Sequence, residues 1–173
     1  MDIESLKRHV RDVPDFPRPG IVFKDITPLL GHGPAFRAVI RHFAERAAAR
    51  TPALVVGIES RGFIFGAALA AELGVGFVPV RKPGKLPYRT HRVEYALEYG
   101  TDALEMHEDA LGHGARALVV DDLLATGGTA CATAALIKRQ GAQVAGFLFV
   151  IELAFLGCRK RLEGLPVEAL ISY

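Results

Sequence analysis

The stretch Ala117-Leu118-Val119-Val120-Asp121-Asp122-Leu123-Leu124-Ala125-Thr126-Gly127-Gly128-Thr129 decides the fold. Its first four residues form a short apolar run with two β-branched side chains, the pattern of a strand buried on both faces in a parallel sheet. Asp121 and Asp122 stand where that strand is expected to end. Ala125 to Thr129 follows as a small-residue loop that opens a helical pattern. In open α/β sheets, ligands sit beyond the carboxyl ends of the strands.

The loop suits an anion. Gly127 and Gly128 carry no Cβ, so backbone N–H groups can close around an oxyanion, and Thr126 and Thr129 add hydroxyl donors. The helix that follows presents its positive end to the same place. A monophosphate fits best, because the Lys of a Walker A motif and the spacing of G-x-G-x-x-G are both missing. Two carboxylates beside a phosphate need hydroxyls or a hydrated cation between them; a sugar diol and a Mg²⁺ shell supply both. Asp121-Asp122 alone reads as an Asp-rich turn; the whole run reads as a binding loop.

Val119 to Thr129 resembles the phosphoribosyl pyrophosphate motif of the type I phosphoribosyltransferases. The form Leu-Leu-Ala-Thr-Gly-Gly-Thr is similar to that of the adenine-using members. The resemblance implies that Asp121 and Asp122 hold the ribose hydroxyls. It implies that Ala125, Thr126, Gly127, Gly128 and Thr129 hold the 5′-phosphate.

Bulk composition agrees with such an enzyme. The chain has 173 residues, 50% of them hydrophobic and 23% charged, enough for one domain with a sizeable core. A net charge of +2 is too small, and its charges too mixed, for a nucleic-acid protein. Cys131 and Cys158 have neither metal-site nor disulfide-framework spacing, and Cys131, among alanines, reads as a small core residue. No apolar run is long enough to span a membrane, and Met1 to Glu4 lacks the features of a secretory signal. A soluble cytoplasmic protein is expected.

Upstream, Ile3, Leu6, Val10 and Val13 recur at helical spacing, predicting a helix over 3–12 that Pro14 ends. Ile21 and Phe23 alternate with polar residues in a short strand halted by Pro28. Phe23 by itself reads as core. The resemblance makes the segment a small N-terminal hood, about residues 1–30, with Phe23 stacking on adenine and Val22 and Lys24 offering main-chain contacts. It adds Leu123 to the base site. Phe36 to Ala47 is a second helix, with Pro34 near its first turn.

Leu54 to Ile58 is another buried strand, and Glu59-Ser60-Arg61-Gly62 leaves its carboxyl end into a helix rich in small residues. Glu59 and Arg61 alone could be a surface ion pair. The resemblance makes Glu59, Ser60 and Arg61 the pyrophosphate loop, with Arg61 gripping oxygens through its planar fork. Val75 to Val80 is a strand feeding Arg81-Lys82-Pro83-Gly84-Lys85-Leu86-Pro87, which matches a basic family motif. Arg81, Lys82 and Lys85 are then further pyrophosphate ligands. A hairpin arm follows, with a mobile lid expected over about 82–100. Glu98 is implied as the acid that serves the base nitrogen, and Tyr99 as a residue closing the site. Tyr88, His91, Arg92 and Glu94 depart from typical relatives.

Leu104 to His107 reads as a short edge strand, Ala132 to Ile137 as a helix, Val144 to Leu153 as a central strand and Val167 to Tyr173 as a terminal one. The basic turn Arg159-Lys160-Arg161 carries no sign of nucleic-acid binding. Strand–helix alternation gives an α/β fold with a doubly wound, mainly parallel sheet in a single domain over 1–173.

The resemblance implies transfer of phosphoribose from 5-phosphoribosyl 1-pyrophosphate to adenine, giving AMP and pyrophosphate. Mg²⁺ would be held mainly by the substrate with Asp121 and Asp122 nearby, and the working unit would be a homodimer with no membrane or nucleic-acid partner. Two alternatives stand beside it. One is a 6-oxopurine in place of adenine, against which the hood speaks. The other is a nucleotide sensor without activity, against which Arg61, the basic loop and Glu98 speak.

Overall fold

The computed structural model describes residues 1–96 and 101–173. In chain order the elements are α1 (Ile3–Lys7), β1 (Arg11–Pro14), β2 (Val22–Asp25), α2 (Thr27–Gly31), α3 (Gly33–Ala48) and β3 (Leu54–Ile58). Then come α4 (Arg61–Leu73), β4 (Gly76–Val80), β5 (Thr90–Ala96), β6 (Thr101–His107), β7 (Arg116–Leu124) and α5 (Gly128–Arg139). β8 (Gln143–Glu152), 3₁₀ turns at Ala154–Leu156 and Cys158–Leu162, and β9 (Val167–Ser172) complete the chain. Five parallel strands form the sheet in the order β4-β3-β7-β8-β9.

Alternation along β7 builds a core on each face. Leu118 and Val120 pack with Phe43, Phe65 and Leu69 of α3 and α4. Ala117 and Val119 face Leu136 and Ile137 of α5, together with Leu104 and Met106 of β6. The expected doubly wound sheet is thus present, with helices covering both faces. Gly57 and Gly66 let α4 lie against β3, since a Cβ on either would come within 3 Å of the Phe77 ring.

Several local expectations are corrected. The first helix stops at Lys7 rather than running to residue 12, because residues 11–14 pair antiparallel with β2. Arg11 reaches Asp25 at 2.6 Å, and Lys24 reaches Asp12 at 2.7 Å. Strand β7 does not end at the aspartates. It runs on to Leu124, because Leu123 and Leu124 still pair with Ile151 and Glu152 of β8. The middle strand is therefore β7, with β8 beside it. Leu104 to His107 is no short edge strand but half of β6, which forms a two-stranded hairpin with β5. Just past β4, an isolated bridge pairs Arg81 with Glu105 of that hairpin, and Val80 of β4 shares a core with Leu104 and Met106. Cys131 is half-buried, its thiol facing the Arg161 carbonyl at 3.2 Å, whereas Cys158 is buried. Among the described residues, no helix is long and apolar enough to cross a membrane.

Candidate active site

A cleft of about 490 Å³ opens at the carboxyl ends of β3 and β7 and beneath the β1–β2 hairpin. Helix α4 begins at its floor. Gly62 brings that helix against β7 so closely that a Cβ would lie 2.8 Å from both the Asp121 carboxylate and the Val120 carbonyl. This contact places Arg61 over the strand end. Its Nε lies 2.9 Å from Asp122 Oδ2, and its guanidinium lies 5.3 Å from the centre of the Phe23 ring. Phe16 supports Phe23 edge-on at 5.2 Å. An aromatic platform, a cation and a carboxylate thus meet in one contact chain. The preceding Glu59–Ser60 peptide is cis.

The two aspartates sit close together. The Asp122 N–H donates to Asp121 Oδ1 at 2.9 Å. Burial, and then repulsion by Asp122, push the Asp121 carboxyl well above its ordinary range. Burial also raises Asp122, against the pull of Arg61. The unliganded pair therefore resists carrying two full charges, and hydroxyl donors or a cation would favour its ionised form.

Beside them, a recess of about 70 Å³ is lined by Asp121, Ala125, Thr126, Gly127 and Thr129. Gly127 turns the chain at φ 81°, a conformation that strains other residues. It is followed at once by α5, whose first turn has no side-chain cap. The leading N–H groups of a helix lack internal partners, so these remain available to an anion. Gly128 packs under Tyr95, whose ring would be 3.2 Å from a Cβ there.

The basic loop is organised from within. Glu59 accepts from Arg81 Nε at 3.2 Å and from the Lys82 amide at 3.0 Å, and Lys85 Nζ lies 3.8 Å away. Burial opposes its charge, but the Lys82 amide and Arg81 hold the Glu59 carboxyl below its usual value. In this arrangement Glu59 gathers the cations. The Lys82 ammonium bonds Asp102 and lies 3.4 Å from the Tyr95 hydroxyl, which itself donates to Asp102 at 3.2 Å. Burial works against the charge on Lys82, and Asp102 and Tyr95 together more than restore it.

The structure brings Phe23, Glu59, Ser60, Arg61, Lys82, Asp121, Asp122, Leu123, Ala125 and Thr129 to the cleft, and Thr126 and Gly127 to the adjoining recess. Neither Val22 nor Lys24 lines it. Val22 is exposed, and the Lys24 ammonium is held by Asp12 and the Tyr173 ring, 3.9 Å from its centre. Glu98 and Tyr99 lie outside the described residues. Sequence reasoning assigned no role to Tyr95, Leu104 or Asp102. The Val93–Tyr95 alternation was the available signal. Among the described residues, no group of three or more His, Cys, Asp or Glu is placed to hold a metal.

Comparison with known proteins agrees with this geometry. The family described as Phosphoribosyl transferase domain matches residues 28–166. An adenine phosphoribosyltransferase of Rippkaea orientalis is 55% identical, the match covering 100% of both chains. The crystal structure of adenine phosphoribosyltransferase from Thermoanaerobacter pseudethanolicus superposes with a TM-score of 0.97 at 51% identity, over 99% of each chain. That of the Saccharomyces cerevisiae enzyme, complexed with an imino-altritol bisphosphate and adenine, gives 0.92 at 40% identity over 97% of each. The chain belongs to the phosphoribosyl transferase family, on the branch of the adenine phosphoribosyltransferases.

Proposed function

We propose that this cleft transfers phosphoribose from 5-phosphoribosyl 1-pyrophosphate to adenine, releasing AMP and pyrophosphate in purine salvage. One observation carries the proposal: Phe23, Arg61 and Asp122 form a continuous contact at the mouth of a glycine loop. A purine, a diphosphate and a ribose diol need those three groups side by side. The names of the relatives, and the adenine bound to the yeast enzyme, support the same substrate.

The roles follow from the chemistry. The Ala125–Thr129 loop binds the 5′-phosphate through helix-end N–H groups and hydroxyls. Asp121 and Asp122 accept from the ribose hydroxyls and orient C1′ for attack. Phe23 and Leu123 stack on the base, and the main chain of Val22 and Lys24, beside the cleft rather than in its lining, is expected to read the base's edge. The C1′–oxygen bond breaks largely before the base bonds, so charge builds on the departing pyrophosphate. Arg61, Arg81, Lys82 and Lys85 meet that charge, with Arg81 also holding the loop in shape. Glu98 takes the adenine proton.

Magnesium fits this site as a substrate-borne ion. Two carboxylates are oxygen donors of the kind Mg²⁺ accepts, and among the described residues no third acid joins them, which suits an ion held mainly by the substrate. Bound there, Mg²⁺ neutralises part of the diphosphate charge.

The β1–β2 region up to about residue 30 acts as the hood, and residues 82–100 as a lid that excludes water from the activated sugar. On the family resemblance, the protein works as a homodimer in the cytoplasm. Incubation with labelled 5-phosphoribosyl 1-pyrophosphate and adenine, hypoxanthine, guanine or xanthine tests the proposal. AMP from adenine alone is expected; product from a 6-oxopurine, or none from any base, would overturn it.

A further inference from the structure

Glu152 is an acid the reaction does not use. It ends β8 in register with Leu124, the last residue of β7 before the glycine loop. It is only 5% exposed. Arg159 meets it with a two-point grip: Nε donates to Oε1 and Nη2 to Oε2, both at 2.7 Å. The remaining arm, Nη1, donates to the Val167 carbonyl at 2.9 Å, so one guanidinium ties the Cys158–Leu162 turn to both β8 and β9.

That turn is packed against the loop. A Cβ on Gly127 would lie 3.2 Å from the Cys158 carbonyl and 3.7 Å from Arg161 Cβ. From the other side, the Cys131 thiol in α5 reaches the Arg161 carbonyl at 3.2 Å. Cys158 and Leu162 are buried in the same core as α5. The position of Gly127 is thus set by the turn, and the position of the turn by Glu152 and Arg159. With Arg159 half exposed, the ion pair adds little stability; what a planar two-point grip supplies is fixed geometry.

We propose that Glu152 and Arg159 are positioning residues for the 5′-phosphate of the sugar: they hold the 158–162 turn as the wall that sets the shape of the glycine loop. This rests on the reading that Ala125–Thr129 binds that phosphate. Loosening the wall weakens every ligand that carries a 5′-phosphate and spares pyrophosphate, which sits against a different loop.

Steady-state kinetics on the full chain test it, with Glu152→Gln and Arg159→Lys as separate variants. Arg159 is half exposed, and lysine keeps its charge while losing the fork, so this variant still reports if Glu152→Gln does not fold. The expected result is a rise of about tenfold in the KM for 5-phosphoribosyl 1-pyrophosphate and in the inhibition constant of AMP, smaller than the roughly hundredfold that gross misplacement can cost. The kcat, the KM for adenine and the inhibition constant of pyrophosphate stay within about twofold. Thr129→Val serves as the control. If it weakens AMP while neither variant does, the positioning role is wrong. If the variants weaken AMP and pyrophosphate equally, the pair is merely structural and the role is again wrong. If Thr129→Val leaves AMP unaffected, the assignment of the loop fails, and this proposal with it.

Discussion

Arg61 Nε lies 2.9 Å from Asp122 Oδ2, joining the first turn of α4 to the end of β7. One cation thus touches the acid expected to hold the sugar while facing the ring expected to hold the base. On the proposed function the same guanidinium meets the leaving pyrophosphate. Arg61→Ala should lower kcat/KM for 5-phosphoribosyl 1-pyrophosphate by about 10²- to 10³-fold, the usual loss when a charge-stabilising donor is removed. Arg61→Lys should restore only part of it, because a point charge cannot make a bidentate grip. Initial-rate measurements on both variants decide this, and full activity in Arg61→Lys would remove the fork from the account.

The Asp pair makes stability depend on pH. Burial and the neighbouring Asp122 raise the Asp121 pKa in the folded state above its ordinary 3.8. The folded protein then binds that proton more tightly than the unfolded chain, so ligand-free stability falls as pH rises from about 3.8 through the folded value. Asp121→Asn should remove that fall. Urea midpoints from pH 4 upward, compared between parent and variant, check it; parallel curves would show that Asp121 titrates normally. Glu152 has the opposite sign: Arg159 holds it below its ordinary 4.5, and its contribution is lost as pH falls.

Much of this site was legible in the sequence because strand ends announce themselves. An apolar run, then acids or an Arg, then glycine and a helical pattern, located both Asp121 to Thr129 and Glu59 to Gly62. Side-chain partners were less legible. Residues 11–14 continue a helical spacing and are drawn into a strand by residues 22–25, through pairs such as Arg11–Asp25. β7 outran its apolar stretch because β8 goes on pairing with it. Glu59 read as part of the anion loop, yet it gathers Arg81 and the Lys82 amide, contacts across 22 residues or more. Arg159 read as a bland basic turn because nothing in the spacing shows that it folds back on Glu152, at the end of β8.

Close packing gives a structural test. Gly62→Ala puts a methyl group 2.8 Å from the Asp121 carboxylate and the Val120 carbonyl, neither of which can easily retreat. It should cost about 1–3 kcal/mol and lower the thermal midpoint. Gly33→Ala, at the start of α3 with open space around it, should be neutral or slightly stabilising. Equal midpoints for the two variants would mean that α4 does not press on β7 as described.

Proton handling is assigned to Glu98. Glu98→Ala should lower kcat by about 10²-fold, the scale of a lost general base, with AMP affinity changed far less. Rapid-quench and equilibrium-binding measurements separate the two quantities. An unchanged kcat would remove Glu98 from the mechanism.

The 5′-phosphate of the sugar is expected in the glycine recess of Ala125 to Thr129. A crystal structure of this protein with AMP bound tests that most directly. The expected density has the phosphate within hydrogen-bonding distance of the Gly127–Thr129 amides, the ribose hydroxyls at Asp121 and Asp122, and the purine on Phe23. A phosphate held by the Arg81–Lys85 loop instead, with the glycine recess empty, would contradict it.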